Sequence, residues 1–213
     1  MVQHVLNRGN GRMKLFHKPA DYDAFLNLLA DAAERVPGVR LLGYCLMPNH
    51  WHLVLWPREE GELSAYMRWL ANTHVRRWRQ QAHSVGQGHV YQGRFKSFPV
   101  QDDRHYLTLL RYVEANPPRA KLVRQAERWR WSSLGAAKSP DGRRLLSAGP
   151  LPRPRDWAGI VNEPLNEEHL ALARESVKRG RPFGEAAWVK RTAERLGLGF
   201  TIRERGRPKK DKE

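Results

Sequence analysis

The pattern of hydrophobic and polar positions near the N-terminus predicts a strand followed by a helix. The apolar run over residues 1–7 is short and ends at the glycine-rich sequence RGNGR, as is typical of a strand that leads into a turn. Over residues 21–36 the apolar positions recur at steps of three and four, which predicts an amphipathic helix. Asp21 is the expected N-cap of this helix, and Pro37 ends it.

Two further apolar runs predict a β-hairpin. Residues 39–47 and 50–56 are separated by the turn pair Pro48-Asn49, so we expect an antiparallel hairpin through the middle of a sheet. Residues 63–78 return to helical spacing, with apolar side chains on one face and several arginines on the other. The order of elements to this point is β-α-β-β-α.

One more strand and one more helix complete a fold pattern. Residues 89–101 are predicted to form a strand, and residues 102–116 a third helix that has two aspartates in its first turn. Pro117-Pro118 should close that helix. The succession β-α-β-β-α-β predicts an α+β protein with a ferredoxin-like antiparallel sheet and helices packed on one side.

The composition changes near residue 136, which predicts the boundary of a C-terminal extension. Residues 1–135 form the expected main domain, and residues 136–213 begin with a linker rich in proline, glycine and arginine. Two modest helices follow, over 166–178 and 184–196, and the charged tail after them is predicted to be disordered when unbound.

The charge of the chain indicates a polyanionic partner. It carries 38 Lys and Arg against 22 Asp and Glu, a formal net charge of +16, and arginines alternate with aromatic residues in MRWLANTHVRRWRQ and YQGRFKSF. Guanidinium groups pair with phosphates and aromatic rings stack on unpaired bases. A basic surface that only aids solubility is the alternative, but an excess of this size favours nucleic acid.

Other classes of protein are excluded by the same sequence. No apolar run approaches the ~18 residues of a membrane helix, and the N-terminus does not resemble a signal peptide. Cys45 is the lone cysteine, so no internal disulfide can form, and its apolar surroundings predict a core position. We therefore expect a soluble cytoplasmic protein, associated with the nucleoid, that does not bind membranes.

Two histidines at the start of the second hairpin strand are candidate metal ligands. Side chains alternate between the faces of a strand, so His50 and His52 point the same way, about 6.6–6.8 Å apart along the chain, while Trp51 points to the other face. Two imidazoles on one face can hold one metal ion. They can equally form a hydrogen-bonded structural pair, so a ligand from another element is needed to decide between the two.

The third predicted helix supplies that candidate. Its core stripe leaves Tyr112 and Asn116 together on the adjoining flank, one turn apart. If this flank lies near the histidines, Asn116 completes a three-ligand site and Tyr112 becomes a nucleophile beside a metal ion. Tyr112 can instead be a buried amphipathic residue, and Asn116, which precedes Pro117, can instead be a C-terminal cap.

Several motifs resemble those of the REP-associated tyrosine transposases, a group of single-tyrosine HUH endonucleases. They are NRGNGR, PNHWHLVLWP, GRFKSF, RYVEANPPRAKLV, WRWSSL, RGRPFG and GRPKK, and their order and spacing cover nearly the whole chain. Pro118 and Lys121 depart from the pattern, since an apolar residue and a glycine are expected there. The resemblance implies that residues 1–135 are an HUH-type nuclease domain.

The resemblance also implies a reaction. Tyr112 attacks a phosphodiester of single-stranded DNA and leaves a 5′-phosphotyrosine link and a free 3′-hydroxyl, which can reverse the step. His50, His52 and Asn116 hold a divalent cation, and mixed imidazole and amide ligands suit Mg²⁺ or Mn²⁺ better than structural zinc. The implied substrate is a palindromic REP-like hairpin with a short flanking tetranucleotide.

Basic residues around these motifs are candidate DNA contacts. Arg8 lies in a turn whose backbone amides can also meet phosphate, Arg94 and Lys96 flank Phe95 on the predicted strand, and Arg119 follows the tyrosine. The tail resembles an arm that enters the DNA minor groove. Its candidate contacts are Arg207, Lys209 and Lys210.

Two other functions and two oligomeric states stay open at this stage. A protein that binds hairpin DNA without cutting needs only the basic aromatic surface, and a ferredoxin-like sheet can also bind RNA. Because the C-terminal extension can cover the surface that a partner would use, we favour a monomer with its site built within one chain over a dimer.

Overall fold

The computed structural model describes residues 1–81, 88–137 and 144–203, in which four antiparallel strands form one sheet in the order β2-β3-β1-β4. The strands are β1 (Val2–Arg8), β2 (Val39–Met47), β3 (His50–Pro57) and β4 (Lys96–Val100). This order and the β-α-β-β-α-β succession are those of a ferredoxin-like fold. The predicted α+β class is therefore confirmed.

The two helices of the ferredoxin-like unit cover one face of the sheet. They are α1 (Pro19–Arg35) and α2 (Glu62–Gln81), and they pack on a core that includes Phe25, Trp51 and Leu70. The predicted N-cap of α1 was wrong, because the helix begins two residues earlier. Asp21 is its third residue and accepts hydrogen bonds from the amides of His17 and Lys18, while Pro19 starts the helix, where no amide proton is needed.

The third helix and the C-terminal extension cover the opposite face, so both faces carry helices. Helix α3 (Arg104–Glu114) packs on Val54 and Phe98 in a second core with residues of the extension such as Trp157 and Phe183. The remaining described α-helices are α4 (Asn116–Arg119), α5 (Ser133–Ala136), α6 (Trp157–Asn162), α7 (Glu167–Arg179), α8 (Ala186–Arg195) and α9 (Gly199–Ile202). None of the described helices is both long and apolar enough to cross a bilayer.

Two details of the predicted sheet were wrong. Strand β2 lies at an edge, and its outer side is covered by hydrogen bonds from the amide of Leu46 to Trp131 and from the amide of Ser147 to Leu41. The fourth strand is limited to Lys96–Val100, because the chain before it bends. Within residues 89–95, Tyr91 alone makes a β-bridge, to Gly9. Arg94 therefore precedes the strand instead of lying on it.

A buried carboxylate fixes α3 on the sheet. Glu114, with an exposed fraction of 0%, accepts hydrogen bonds from Ser133, from Arg153 Nη2 at 3.1 Å and from Trp157 Nε1 at 2.6 Å. Burial raises the pKa of this carboxyl, while Arg153 and the two other donors oppose that shift. The network ties the C-terminal end of α3 to the sheet and to the extension at once.

The strand β2 is shaped to accept this contact. It carries a bulge between Leu41 and Gly43, and a Cβ added at Gly43 would lie 2.3 Å from a methyl group of Leu110 on α3. Ser133 Oγ joins the backbone of Tyr44 to Glu114, and Arg153 Nη2 also donates to the carbonyl of Leu42 at 3.1 Å. Glycine at position 43 thus permits the close approach that the Glu114 network requires.

On the other face, a buried polar chain anchors the segment that precedes β4. The Tyr91 hydroxyl accepts from Trp51 Nε1 at 2.9 Å and donates to His74 Nδ1 at 2.6 Å, since tryptophan can only donate. Burial lowers the pKa of His74 to about 4, although Asp21 partly opposes the shift. His74 is therefore a neutral acceptor at neutral pH.

This depressed pKa predicts acid destabilisation. Since the folded pKa of His74 lies near 4 and its ordinary value is 6.5, the unfolded chain binds the proton first, and the free energy of unfolding should fall as the pH drops from 6.5 toward 4. His74 should contribute at most about 3 kcal/mol to that fall. Denaturant unfolding of wild type and His74→Asn, whose side-chain oxygen can still accept from Tyr91, measures the contribution.

The His74→Asn variant should lose some packing at pH 7.5 and show a smaller fall in stability between pH 6.5 and 5. The exposed His169→Asn variant is the matched control. Equal falls in the wild type and His74→Asn would contradict the prediction.

Candidate active site

The sheet places the two predicted metal ligands beside each other on the face that carries α3. His50 and His52 are paired with Arg8 and Leu6 of β1, and their ring centroids are 5.0 Å apart. His52 is buried and His50 is half-buried. The alternation of the strand thus produces the shared face that the sequence predicts.

Each imidazole has one nitrogen held by a neighbour. His50 Nδ1 lies 2.7 Å from Asn49 Oδ1, and His52 Nδ1 lies 2.9 Å from His4 Nε2. Because Asn49 offers an oxygen acceptor, His50 must carry its proton on Nδ1, which leaves the Nε2 lone pair free for a ligand. His52 likewise has a free lone pair on Nε2 when its Nδ1 carries the proton and donates to His4 Nε2.

Both imidazoles are neutral at physiological pH. Burial lowers the pKa of His50 to about 4, with smaller contributions from the nearby cations Arg8 and Arg119, and it lowers the pKa of His52 well below the ordinary range. Burial alone lowers the pKa of His4 to about 3. Neutral imidazole is the form that binds metal ions.

Tyr112 lies next to this pair. Its ring centroid is 6.3 Å from that of His52, with the two planes at 85°, and its exposed fraction is 7%. Arg119 also contacts this ring, with Cζ 4.3 Å from the centre of the Tyr112 ring. Burial lowers the pKa of Arg119, while the phenol of Tyr112 opposes that shift.

Asn116 caps the tyrosine helix and also faces Arg119. It lies outside α3 and is the first residue of α4. Its Nδ2 donates to the carbonyls of Tyr112 and Val113, both at 3.1 Å, and its Oδ1 accepts from Arg119 Nη2 at 2.8 Å. The amide oxygen has a second lone pair, so a cap and a metal ligand are compatible roles.

The donor set suits a divalent cation that is completed by substrate. Across residues 1–81, 88–137 and 144–203, no three His, Cys, Asp or Glu side chains are grouped to hold a metal ion. A cation at this site therefore needs the Nε2 atoms of His50 and His52 together with an amide, water or phosphate oxygen. Mg²⁺ and Mn²⁺ accept such ligands, and Mg²⁺ keeps several waters or substrate oxygens.

Three of the predicted DNA contacts meet in a separate groove of about 360 Å³. The groove is lined by Leu6, Asn7, Arg8, Gln92, Gly93, Arg94, Lys96, Val177 and Lys178. Arg8 lies opposite His50 in the β1–β3 register, so the groove adjoins the histidine pair. Lys178 of α7 was missed by sequence reasoning, because only the folded extension brings it to the end of β1.

A phosphate contact at the backbone amides of the RGNGR turn stays a prediction, although three of those amides already have partners within the protein. The amides of Gly9, Asn10 and Arg12 donate to the carbonyls of Asn49, Val90 and Gly9. These amides are therefore satisfied within the protein. The Arg8 side chain, in contrast, has a buried Nε without a partner among the described residues and faces the groove.

Lys121, one of the two residues that depart from the family pattern, has an unusual backbone conformation. Lys121 has a φ of 57°, a left-handed conformation that favours glycine, which is the residue expected at this position. Arg207, Lys209 and Lys210 lie outside the described residues.

Two solved structures are similar to this chain. One solved structure is described as a REP-associated tyrosine transposase bound to a REP hairpin; it is 18% identical, with a TM-score of 0.53 over 70% of this chain and 84% of that chain. A second, described as a transposase from Deinococcus radiodurans R1, is 18% identical, with a TM-score of 0.41 over 54% of this chain and 88% of that chain. No curated protein matches the sequence.

The family model described as IS200-like transposase matches residues 1–116, which is more than half of the chain. The predicted family resemblance is confirmed. The chain belongs to the IS200-like transposases and has the fold of a REP-associated tyrosine transposase.

Proposed function

We propose that this protein binds hairpin DNA and cleaves and rejoins an adjacent single strand through Tyr112. The observation that carries the proposal is that the Tyr112 ring contacts both the His52 ring of the histidine pair and the Arg119 guanidinium. A nucleophile, a candidate cation site and a fixed positive charge thus lie together. Membership of a transposase family supports the same chemistry.

The proposed step is an in-line attack on phosphorus. The Tyr112 oxygen forms a bond to phosphorus as the bond to the 3′-oxygen breaks, and the phenolic proton passes through solvent to the departing 3′-oxygen. The products are a 5′-phosphotyrosine and a free 3′-hydroxyl, and a 3′-hydroxyl can reverse the step by attacking the ester.

The chain's own residues prepare this attack. Arg119 lies against the tyrosine ring, where its charge favours a developing phenolate and a nearby phosphate oxygen. His50, His52 and Asn116 would hold Mg²⁺ or Mn²⁺, which, when bound, withdraws charge from the scissile phosphate. The cap that Asn116 provides fixes the last turn of α3 and hence the Tyr112 backbone.

The basic groove is the proposed path of the single strand. Arg8, Arg94, Lys96 and Lys178 supply positive charge, while Asn7 and Gln92 supply amide groups. The solved relative described as bound to a REP hairpin supports hairpin DNA as the partner.

A hairpin-binding protein that does not cut is the second candidate. It is favoured by one observation: the Asn116 side chain already bonds α3 through Nδ2 and Arg119 through Oδ1. Although Oδ1 keeps a second lone pair, the Arg119 cation bonded to it repels a second cation, so if that bond persists with DNA only the two imidazoles would hold the metal ion. The groove and the basic surface would then act without chemistry.

We also propose that the site is built within one chain of a monomer. The support is the Glu114 network, in which Arg153 and Trp157 of the extension bind the same helix that carries Tyr112. Exchange of α3 between two copies would break these buried contacts. Breaking a buried charged network is strongly destabilising.

A covalent adduct tests the nucleophile. Labelled single-stranded hairpin DNA with candidate flanks, incubated with Mn²⁺ or Mg²⁺, should yield a protein–DNA adduct on a denaturing gel with the wild type and none with Tyr112→Phe. Tyr106→Phe, on the same helix, is the matched control and should keep the adduct. Tight binding without an adduct across many flanks would select the non-cutting candidate.

The groove is tested by the salt dependence of binding. Lys178→Ala should weaken binding of single-stranded hairpin DNA and reduce the slope of log affinity against log salt by about 0.7, because one phosphate contact is lost. Lys190→Ala removes an exposed lysine of the same extension outside the groove and should leave the slope unchanged. Equal effects of the two variants would remove the groove from the proposed path.

Mixing two inactive variants tests the monomer. His50→Ala and Tyr112→Phe each remove one half of the proposed site, so a site built within one chain should stay inactive when the two proteins are mixed. Recovered adduct formation in the mixture, compared with each variant alone at the same concentration, would show exchange of the tyrosine helix.

A further inference from the structure

A third histidine, outside the predicted ligand set, is built into the histidine pair. His4 lies fully buried on β1, and its Nε2 is 2.9 Å from His52 Nδ1. The two ring planes differ by 8° with centroids 5.1 Å apart, the geometry of an in-plane hydrogen bond between two imidazoles. The edge of Phe98, at 4.8 Å between centroids, holds the His4 ring in place.

The other nitrogen of His4 has no partner. Among the side chains that the structure describes, His4 Nδ1 is a buried polar atom without a hydrogen bond. A buried N–H group without an acceptor is costly, and it is rarer in proteins than an acceptor that lacks a donor. The proton of His4 is therefore more stable on Nε2, where it donates to His52, than on Nδ1.

This preference acts on His52. If His4 donates from Nε2, His52 Nδ1 is the acceptor, and the proton of neutral His52 must lie on its Nε2. That nitrogen then has no lone pair for a cation. The ligating form needs the reverse arrangement, with His52 donating from Nδ1 and His4 carrying its proton on the unpartnered Nδ1.

We propose that His4 is a positioning residue that keeps His52 in its non-ligating tautomer when no cation is bound, so that the DNA-free site holds divalent cations weakly. The inference rests on the proposed function only in assigning His52 as a ligand. Cation binding must move the shared proton from His4 to His52, remove the proton on His52 Nε2 and place one on His4 Nδ1. The number of protons on the pair does not change.

His50 has no such restraint, which makes the two ligands unequal. The Asn49 oxygen can only accept from His50 Nδ1, so His50 is already in its ligating form. The second ligand requires the tautomer change. A substrate phosphate oxygen that also binds the cation would add binding free energy and so offset the free-energy cost of this tautomer change.

The tautomers can be read directly. In ¹⁵N-histidine protein without metal, long-range ¹H–¹⁵N spectra assigned with His4→Gln and His52→Gln should place the protons of both His4 and His52 on Nε2. Saturating Mg²⁺ should move the His52 proton to Nδ1. A proton on Nδ1 of His52 in the metal-free protein would overturn the proposal.

Metal affinity gives an independent readout. Glutamine at position 4 can donate or accept by rotating its amide, so His4→Gln should bind Mn²⁺ about tenfold more tightly than the wild type in calorimetry without DNA. His4→Phe, which offers no acceptor, should bind more weakly than His4→Gln. His105→Gln, a histidine of α3 that bonds Asp103, is the control and should match the wild type.

Equal Mn²⁺ affinity in the wild type and His4→Gln, or no binding to either, would refute the proposed restraint. These measurements use neither DNA nor cleavage. If the wild type forms no covalent adduct with DNA but shows the expected tautomer change on adding Mg²⁺, the proposed reaction is contradicted and the role of His4 is not.

Discussion

The position of the tyrosine helix depends on one buried carboxylate. Glu114 lies two residues beyond Tyr112 and has no exposed surface, yet three donors from separate segments of the chain satisfy it. A charge without these donors would not be tolerated there. Because Ser133 holds β2 while Arg153 and Trp157 belong to the extension, the sheet, the tyrosine helix and the extension are positioned together.

The register between β1 and β3 is the second constraint. It brings Arg8 opposite His50 and Leu6 opposite His52, which places His4 within reach of the His52 ring. A slip by one residue would turn every side chain of β1 to the other face. The burial of Val2 and Val5 on opposite faces of the same strand fixes this register.

Local patterns in the sequence predicted what depends on periodicity alone. Helical spacing located α1, α2 and α3, and strand alternation placed His50 and His52 on one face. The bonds between elements were not predictable in this way. Nothing in the sequence links His4 to His52 or Lys178 to Arg8, because those contacts depend on the strand register and on the course of the extension.

One feature that the sequence analysis missed, and one that it predicted wrongly, had a visible signal in the sequence. A glutamate in the apolar context YVEAN indicates either an exposed position or a satisfied buried charge, and Glu114 is the latter. The predicted fourth strand extended too far because Tyr91 and Val90 resemble strand residues. Both are buried instead in the core beneath α1 and α2, where the Tyr91 hydroxyl accepts from Trp51 and the Tyr91 backbone forms a bridge to Gly9.

The extension contributes to the proposed reaction in two ways, because it positions the tyrosine helix and also forms part of the basic groove. Arg153 and Trp157 seat the helix that carries Tyr112, while Val177 and Lys178 form a wall of the groove beside Arg8. Both contacts lie on the face of the sheet that holds the histidine pair. If DNA binds in the groove as proposed, it meets Arg8 directly opposite His50, so the extension that positions the helix of Tyr112 would also help to position the DNA.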